Sequence, residues 1–208
     1  MNCRCSTTDM VPFEDFLPYI LPSVGEVPDQ IAAHMAREAT IEYAQQTKEL
    51  KATFTLDAQA GVQHYRLCAP DNYSIEALDY VANGCHPMAA NREVYGFPGG
   101  TFTFDRPDTI ILGCAPRYSE ERAIEVRAIM IPGQDSCYVD RMVYDRHAEL
   151  ISHGARMRIY RMLAEEWFNP TAAREEERLW RDGLRWARVK SLKGGSTQPQ
   201  VLRARRVV

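Results

Sequence analysis

The hydrophobic period of this chain changes twice, and each change separates one type of secondary structure from another. Over residues 29–50, apolar side chains recur every three to four positions, which is the spacing of one helix face. Over residues 53–132 they come instead in short β-branched or aromatic runs bounded by turn residues, as in strands. From about residue 140 the helical spacing returns. The sequence therefore predicts an α+β fold with a β unit inserted between helices.

The predicted helices differ in length. Prolines limit any early helix to a short piece within residues 13–21, and a longer one follows over about residues 29–50. After the insert, Asn169 and Pro170 divide two long helices, since asparagine is a good N-cap and proline suits the first helical position. The inner faces are predicted at Ala32, Met35, Ala36, Ala39 and Tyr43, then at His147, Leu150, Ile151, Gly154, Ile159, Met162, Leu163 and Trp167, and last at Ala173, Trp180, Leu184 and Ala187.

The middle of the chain is predicted to form a small antiparallel β-sandwich or barrel. Its runs are "TFTLD", "VQHYRLC", "SIEALDYVAN", "TFTFD", "TIILGC" and "AIEVRAIMIP". Phe102 and Phe104 alternate with threonines, as in a half-buried strand. The stretches "GFPGG" and "DRPD" supply the glycine and proline of connecting loops.

These patterns predict five segments. Residues 1–12 read as a flexible leader, and residues 53–132 as the inserted β domain. A helical base is formed by residues 13–52 together with 133–193, so that one N-terminal helix packs against two long C-terminal helices. The β domain projects from this base. Residues 194–208 form an extended C-terminal arm.

Charge and cysteine content exclude several classes of protein. The formal net charge of −3 argues against a protein held mainly by phosphate attraction to nucleic acid, although six basic and no acidic residues follow from Arg188 onward. The six scattered cysteines fit thiols better than a disulfide framework. The N-terminal "MNCRCSTTDM" has no apolar core of a secretory signal, and no apolar run could span a bilayer.

The chain offers little catalytic or ligand-binding chemistry. Cys3 and Cys5 have one residue between them, which is too close for a zinc pair, and Cys85 beside His86 lies in a loop rather than at a nucleophile elbow. The stretch "GFPGGTFTF" leads into a strand, whereas phosphate-binding glycines lead into a helix. We therefore expect a non-enzymatic protein with no catalytic residue, metal or cofactor.

Arginine density on the last two helices has two readings. A solvated helix face with ordinary intrahelical pairs to Glu175, Glu176 and Glu177 explains it. Pairing across a subunit interface also explains it, because the planar guanidinium suits such contacts. The candidate interface residues are Arg156, Arg174, Arg178, Arg181 and Arg185.

The arm likewise has two readings. It could be a frayed terminus, or a basic extended segment that adds a strand to a partner or threads into a partner's groove. The candidate binding residues of the arm are Val201, Leu202, Arg203, Arg205, Arg206, Val207 and Val208.

Both flanks of the insert are similar to one known family. The N-terminal flank, residues 13–47, reads "FEDFLPYILPSVGEVPDQIAAHMAREATIEYAQQT". The C-terminal flank, residues 129–187, reads "IMIPGQDSCYVDRMVYDRHAELISHGARMRIYRMLAEEWFNPTAAREEERLWRDGLRWA". In this order they resemble the head-to-tail adaptor (connector) proteins of tailed bacteriophages. Arg158 and Glu165–Glu166 depart from the residues common there, and the Cys-x-Cys leader lies outside the pattern.

The resemblance implies a structural virion protein in the neck between head and tail, present in the host cytoplasm during assembly. Such a subunit would join a homo-oligomeric ring of twelve beneath the portal protein, with the arginines as ring contacts and the arm inserted into the portal. The β domain would face the tail or nozzle proteins. DNA would pass through as cargo, and no membrane would be involved.

Two other functions stay open at this stage. One is a tail or neck component further from the head, such as a tail-completion or tube-initiating protein, for which a basic arm is not needed. The other is a binding module that recognises a carbohydrate or peptide through the β insert. The aromatic residues available for such binding are Tyr95, Phe97 and Tyr118.

Overall fold

A computed structural model describes residues 9–84, 86–90, 100–163 and 165–192, and these form a mixed α+β fold that confirms the predicted class. The helices are a 3₁₀ turn at Phe13–Phe16 followed by α1 (Leu17–Val24), α2 (Asp29–Thr47), α3 (Arg141–Ile159) and α4 (Pro170–Leu192). The arm residues Val201 to Val208, like Cys3, Cys5 and Cys85, lie outside the described residues.

The described strands form one two-stranded and two four-stranded sheets, in the orders β1-β10, β2-β9-β4-β5 and β3-β8-β7-β6. The strands are β1 (Met10–Pro12), β2 (Lys51–Ala58), β3 (His64–Arg66), β4 (Tyr73–Asn83), β5 (His86–Pro87), β6 (Ala89–Ala90), β7 (Thr101–Asp105), β8 (Thr109–Leu112), β9 (Glu120–Pro132) and β10 (Tyr138–Asp140).

Strand β9 organises the larger sheet because it pairs antiparallel with both β2 and β4. Its alanine, valine and isoleucine side chains are among the most buried in the chain, and Ile124, Val126 and Ala128 have no exposed surface. All six predicted runs are strands. Two short strands, β5 and β6, were not predicted, and β6 pairs parallel with β7, so the insert is not wholly antiparallel as expected.

The predicted flexible leader is too long at its C-terminal end. Residues 10–12 form β1, which pairs with β10 through Val11 opposite Val139, and both of these valines are buried. The backbone N–H of Arg141 then donates to the carbonyl of Asp9 at 3.0 Å. The strand joins the two flanks of the insert, which is a long-range pairing that local composition does not show.

Three helix ends differ from the predicted ones. Helix α2 ends at Thr47 rather than near residue 50, because Lys48 adopts a left-handed conformation. Helix α1 continues to Val24, because Pro22 lies in its last turn and removes only one helical hydrogen bond there. Helix α3 ends at Ile159, so Met162, Leu163 and Trp167 do not continue its buried stripe, and Leu163 is 76% exposed. The chain turns instead, and the N–H of Asn169 donates to the carbonyl of Tyr160 at 3.0 Å.

Asn169 and Pro170 begin α4 as predicted. The Asn169 side-chain oxygen accepts the N–H of Ala172 at 3.1 Å, which satisfies one of the unpaired donors of the first turn. The predicted inner face is confirmed as well, since Ala173, Trp180, Leu184 and Ala187 are all buried.

Helices α2, α3 and α4 contact one another, and one tight contact between them lies at Gly154 of α3. A Cβ atom built on Gly154 would lie 3.0 Å from the Cβ of Ala39 in α2 and 3.0 Å from the Cε3 of Trp180 in α4. Both neighbours are buried. A larger residue here would have to displace its neighbours by a few tenths of an ångström, so the space available favours glycine at this crossing although glycine disfavours a helix interior.

We predict that Gly154→Ala lowers the free energy of unfolding. Overpacking a filled core costs about 1–3 kcal/mol, and alanine recovers only about 1 kcal/mol through helix propensity, so we expect a net loss of roughly 1 kcal/mol. Urea unfolding followed by circular dichroism measures the change. Gly183→Ala is the matched control, because its Cβ meets the flexible end of the Leu150 side chain. Equal stability of both variants would contradict the prediction.

Candidate helical interface site

The exposed surface of α4 carries four of the five arginines predicted as ring contacts. Arg174, Arg178, Arg181 and Arg185 are exposed, and the side chain of Arg185 retains 79% of its surface. Three of them form ion pairs within α4: Arg178 with Glu175 at 2.6 Å, Arg181 with Glu177 at 2.5 Å and Arg185 with Asp182 at 3.5 Å. Such exposed pairs contribute little stability and leave the outer guanidinium surface open to solvent.

Arg156 is not at this surface, which corrects its assignment as a ring contact. Its side chain is 11% exposed, and its Nε lies 3.1 Å from a carboxylate oxygen of Glu176 in α4. A second nitrogen of the guanidinium donates to the carbonyl of Tyr19 in α1 at 2.7 Å. Arg156 thus ties α1, α3 and α4 of one subunit together, and the spacing of arginines along α3 gives no sign of this.

Glu176 is the acceptor at the centre of this tie. One carboxylate oxygen lies 2.6 Å from the Nδ1 of His153 and 3.1 Å from a terminal nitrogen of Arg156. Because the three side chains are only 11–18% exposed, little water is left to solvate a charge that loses its partner. The ion pair should therefore matter more than those on the outer face of α4.

We predict that Glu176→Gln lowers the free energy of unfolding by about 2–4 kcal/mol, since it leaves a nearly buried guanidinium without its counter-charge. Glu175→Gln is the control in the adjacent position, because Glu175 and its partner Arg178 are both 59% exposed. It should leave the unfolding temperature unchanged. Thermal and urea unfolding at pH 7 measure both, and equal losses would show that the buried tie has no special importance.

A groove with a cavity volume of about 510 Å³ lies between α2, α3 and α4. The positive side chains that line it are Arg158, Arg161, Arg181, Arg185 and Arg188, and the negative ones are Glu42 and Glu177. Five cations against two anions give this groove, called the arginine groove below, a formal charge of +3 on a chain whose net charge is −3. Met157, Trp180 and Leu184 supply apolar lining.

The acidic partners inside the arginine groove are already occupied. Glu42 pairs with Arg158, while Glu177 pairs with both Arg161 and Arg181. Among the described residues, Arg188 has no ion-pair partner. Trp180 is 2% exposed, and its indole Nε1–H has no acceptor in the described part of the chain. The groove thus has donors in excess of acceptors, and a carboxylate or phosphate is the group that would complement it.

The sequence indicates the high density of arginines on the last two helices, but it does not indicate the groove between the helices. The spacing of three and four between Arg174, Arg178, Arg181, Arg185 and Arg188 does place these residues on one side of α4. The contribution of Glu42 from α2 depends on how the two flanks of the insert pack, and no local pattern gives that.

Apolar side chains are exposed beside the arginines at the C-terminal end of α4. Trp186 is 76% exposed, Val189 43% and Leu192 70%. Two more lie in the turn after α3, where Leu163 is 76% and Phe168 42% exposed, next to the exposed carboxylates of Glu165 and Glu166. Exposed aromatic groups beside arginine are typical of protein interfaces.

A separate cluster of titratable groups lies where α2 leads into the β unit. The buried hydroxyl of Tyr43 donates to Glu49, and the Nε2 of His147 lies 3.1 Å from a Glu49 oxygen. Contact with His147, helped by the Tyr43 hydroxyl, lowers the pKa of Glu49 from 4.5 to about 2, although burial opposes this. Burial, followed by the hydrogen bond to Glu49, raises the pKa of Tyr43 well above its usual value of 10.

We predict a pH dependence of stability that Glu49 causes. A carboxyl whose pKa is lower in the folded than in the unfolded chain stabilises the fold above about pH 4.5, and this contribution disappears as pH falls toward 2. Glu49→Gln should therefore cost about 2–3 kcal/mol at pH 7 and progressively less below pH 4.5.

Urea unfolding at several values between pH 7 and pH 3 measures the difference between this variant and the wild type. Glu149→Gln, at an exposed position of α3, the helix that carries His147, is the control, and its difference in the free energy of unfolding from the wild type should not become smaller at low pH. If the difference in the free energy of unfolding between Glu49→Gln and the wild type stays constant from pH 7 to pH 3, Glu49 is not the cause of the pH dependence.

Of the other residues considered from the sequence, those that the structure describes are not brought together in a site. His86 is exposed, and among the described residues no group of three metal-ligating side chains comes together. Tyr118 is 81% exposed, whereas Tyr95 and Phe97 lie outside the described residues. No described helix is long and apolar enough to cross a membrane.

No protein-family model matches this chain, and no curated protein matches it significantly. Function is therefore inferred from the residues and from the geometry of the helical surface.

Proposed function

We propose that the protein is a structural virion component, a head-to-tail adaptor whose subunits form a ring of twelve beneath the portal. The ring joins the DNA-filled head to the tail, and DNA passes through its channel. In this proposal the helices form a base that packs side by side around the ring. The two four-stranded sheets form a small sandwich that projects toward the tail or nozzle proteins, and the arm enters the portal.

The surface of α4 is the observation that carries this proposal. Its exposed Arg174, Arg178, Arg181 and Arg185 lie on the same helix as Trp186, which is 76% exposed. A tryptophan left in water gives up the hydrophobic stabilisation that burial would provide, about 25 cal/mol per Å² of apolar surface. Burial against a neighbouring copy recovers that free energy, and the arginines supply directional pairing at the edge.

The order of the helices and strands along the chain also supports the adaptor proposal. A helix, a β unit and two further helices follow each other, and the flanking helices pack together as in a common base. This is the order of segments that the resemblance to phage adaptors implies. The flanks carry the resemblance, and the same flanks carry the exposed arginines and Trp186.

Charge distribution is compatible with DNA as transiting cargo. The chain as a whole carries −3, so a ring of subunits would repel rather than hold the phosphate backbone over most of its surface. Strong phosphate binding would hinder passage. No membrane contact and no cofactor are part of the proposal, and we place the protein in the virion neck and, before assembly, in the host cytoplasm.

The basic arm fits a partner outside its own subunit. Arg203, Arg205 and Arg206 would be repelled by the arginine groove, which carries +3, if the arm folded back along α4. An acidic or apolar groove on the portal would accept it. A tail or neck component would not need such an arm, and this feature favours the adaptor role over the tail-component role.

The test is the mass of the purified protein by light scattering, alone and mixed with the portal ring of its virus. We expect a monomer that joins the portal as a stoichiometric ring. A stable small oligomer that does not bind the portal would overturn the adaptor proposal. That result would favour a binding function of the β unit, where Tyr118 is the most exposed of the aromatic side chains described.

We predict that deleting residues 200–208 abolishes binding to the portal while the thermal unfolding curve stays the same, because the deleted residues follow the packed helices. Deleting residues 2–8 at the other terminus is the matched control and should leave portal binding intact. If the protein lacking residues 200–208 bound the portal with unchanged affinity, the arm would not be the portal contact.

A further inference from the structure

We infer that the arginine groove of one subunit receives the acidic turn after α3 of a second copy, with Glu165 and Glu166 of that copy between the arginines. The inference rests on the proposed function, since it names the contact by which neighbouring subunits in the ring would hold each other. Glu165 and Glu166 are also positions where this chain departs from the residues common in the adaptors it resembles.

The groove lacks acceptors for its donors. Arg158, Arg161 and Arg181 pair with the two carboxylates that line it, whereas Arg188 has no ion-pair partner among the described residues. Arg185 reaches only Asp182 of its own helix, at 3.5 Å. The exposed guanidinium groups of Arg185 and Arg188 can therefore donate to further carboxylate oxygens without loss of the internal pairs of the groove.

The turn after α3 offers the matching groups. Glu165 and Glu166 are exposed, and Leu163 and Phe168 on either side of them are 76% and 42% exposed. The N–H of Phe168 donates to the carbonyl of Glu165 at 3.1 Å, and the N–H of Asn169 to that of Tyr160 at 3.0 Å. Phe168 and Asn169 are therefore bonded back to Glu165 and Tyr160 before binding, and this reduces the entropy that these residues lose on association.

Apolar complementarity favours a protein segment over DNA as the occupant. Leu163 and Phe168 of the incoming turn are 76% and 42% exposed, and Trp186, Val189 and Leu192 are exposed on the same helix as Arg185 and Arg188. A protein segment can cover such side chains while it pairs with the arginines, whereas a phosphate backbone would pair with the arginines and leave them in water. The cavity of about 510 Å³ is large enough for two carboxylate side chains, since sites of about 300–1,000 Å³ hold whole small ligands.

The contact can be made head-to-tail, because each copy can give its turn to one neighbour and receive a turn from another. Contacts of this kind close into rings when the rotation between neighbours is suitable. Groove and turn are adjacent, since Arg161 lines the groove and Leu163 begins the turn, so two copies that exchange turns about a two-fold axis would make the same contact in a dimer. The mass of the assembly distinguishes the ring from the dimer.

Crosslinking between labelled copies tests the contact directly in the full-length chain. Leu163→p-benzoylphenylalanine keeps both glutamates and places a photoreactive group beside them. This variant is mixed with a ¹⁵N-labelled copy of the natural sequence, irradiated at high protein concentration and digested, and crosslinks between light and heavy peptides are located by mass spectrometry. We expect them on residues 42–46, 157–161 and 180–188 of the heavy copy.

Charge reversal gives the matched variants. Arg185→Glu/Arg188→Glu in the heavy copy should reduce the yield of these crosslinks about tenfold, because the incoming carboxylates then meet like charges. Adding Glu165→Arg/Glu166→Arg to the light copy should restore most of the yield. All four side chains are exposed, so the fold does not depend on them. Crosslinks located outside these segments of the heavy copy would overturn the inference. A crosslink yield that neither charge reversal changes would also overturn it.

Two further readouts separate this inference from the proposed function. If the portal templates a ring while the reversals leave ring mass and crosslinks unchanged, the groove contact is wrong and the adaptor role stands. If the crosslinks behave as expected but scattering gives only dimers, the contact stands and the ring is wrong. Binding of a 30-base-pair DNA duplex that only the groove reversal abolishes, with crosslinks unaffected, would make DNA the occupant instead.

Discussion

Trp180 packs against the bare backbone of Gly154 where α2, α3 and α4 meet, and the positions of the three helices depend on this contact. A Cβ on Gly154 would lie only 3.0 Å from the indole ring, so the helices are closer there than a side chain at this position would ordinarily allow. Trp180 also lines the arginine groove. The same residue therefore fixes the helical packing and the floor of the surface that we propose as an interface.

Charged residues on α4 fall into two groups that differ in burial rather than in chemical type. Glu176 faces inward and holds Arg156 and His153 of α3, whereas Glu175 is 59% exposed and pairs only along its own helix. The first group stabilises the fold, because a nearly buried charge that loses its partner is left without water to solvate it. Water screens the second group, and its guanidinium groups remain available for contact with another molecule.

Local patterns in the sequence predicted those elements whose cause is local. The helical period located α2 and the inner face of α4, alternating residues located six strands, and Asn169–Pro170 located the start of α4. The prediction was wrong where a distant contact decides the outcome. Val11 forms a strand because Val139 pairs with it, and Arg156 is buried because Tyr19 and Glu176 receive its guanidinium. The groove was not predicted, since Glu42 is brought to it from the other flank of the insert.

The weakness of each exposed charge pair has a consequence for assembly. An ion pair in water is worth about 0–1 kcal/mol, so a single turn in a single groove would hold two free subunits only loosely. In a closed ring every subunit makes two such contacts, and a template that holds the subunits side by side removes most of the entropy of association. Under the proposed function, such a subunit would stay monomeric in solution and assemble only on the portal. The arm and the groove would then bind different partners, because their like charges repel each other.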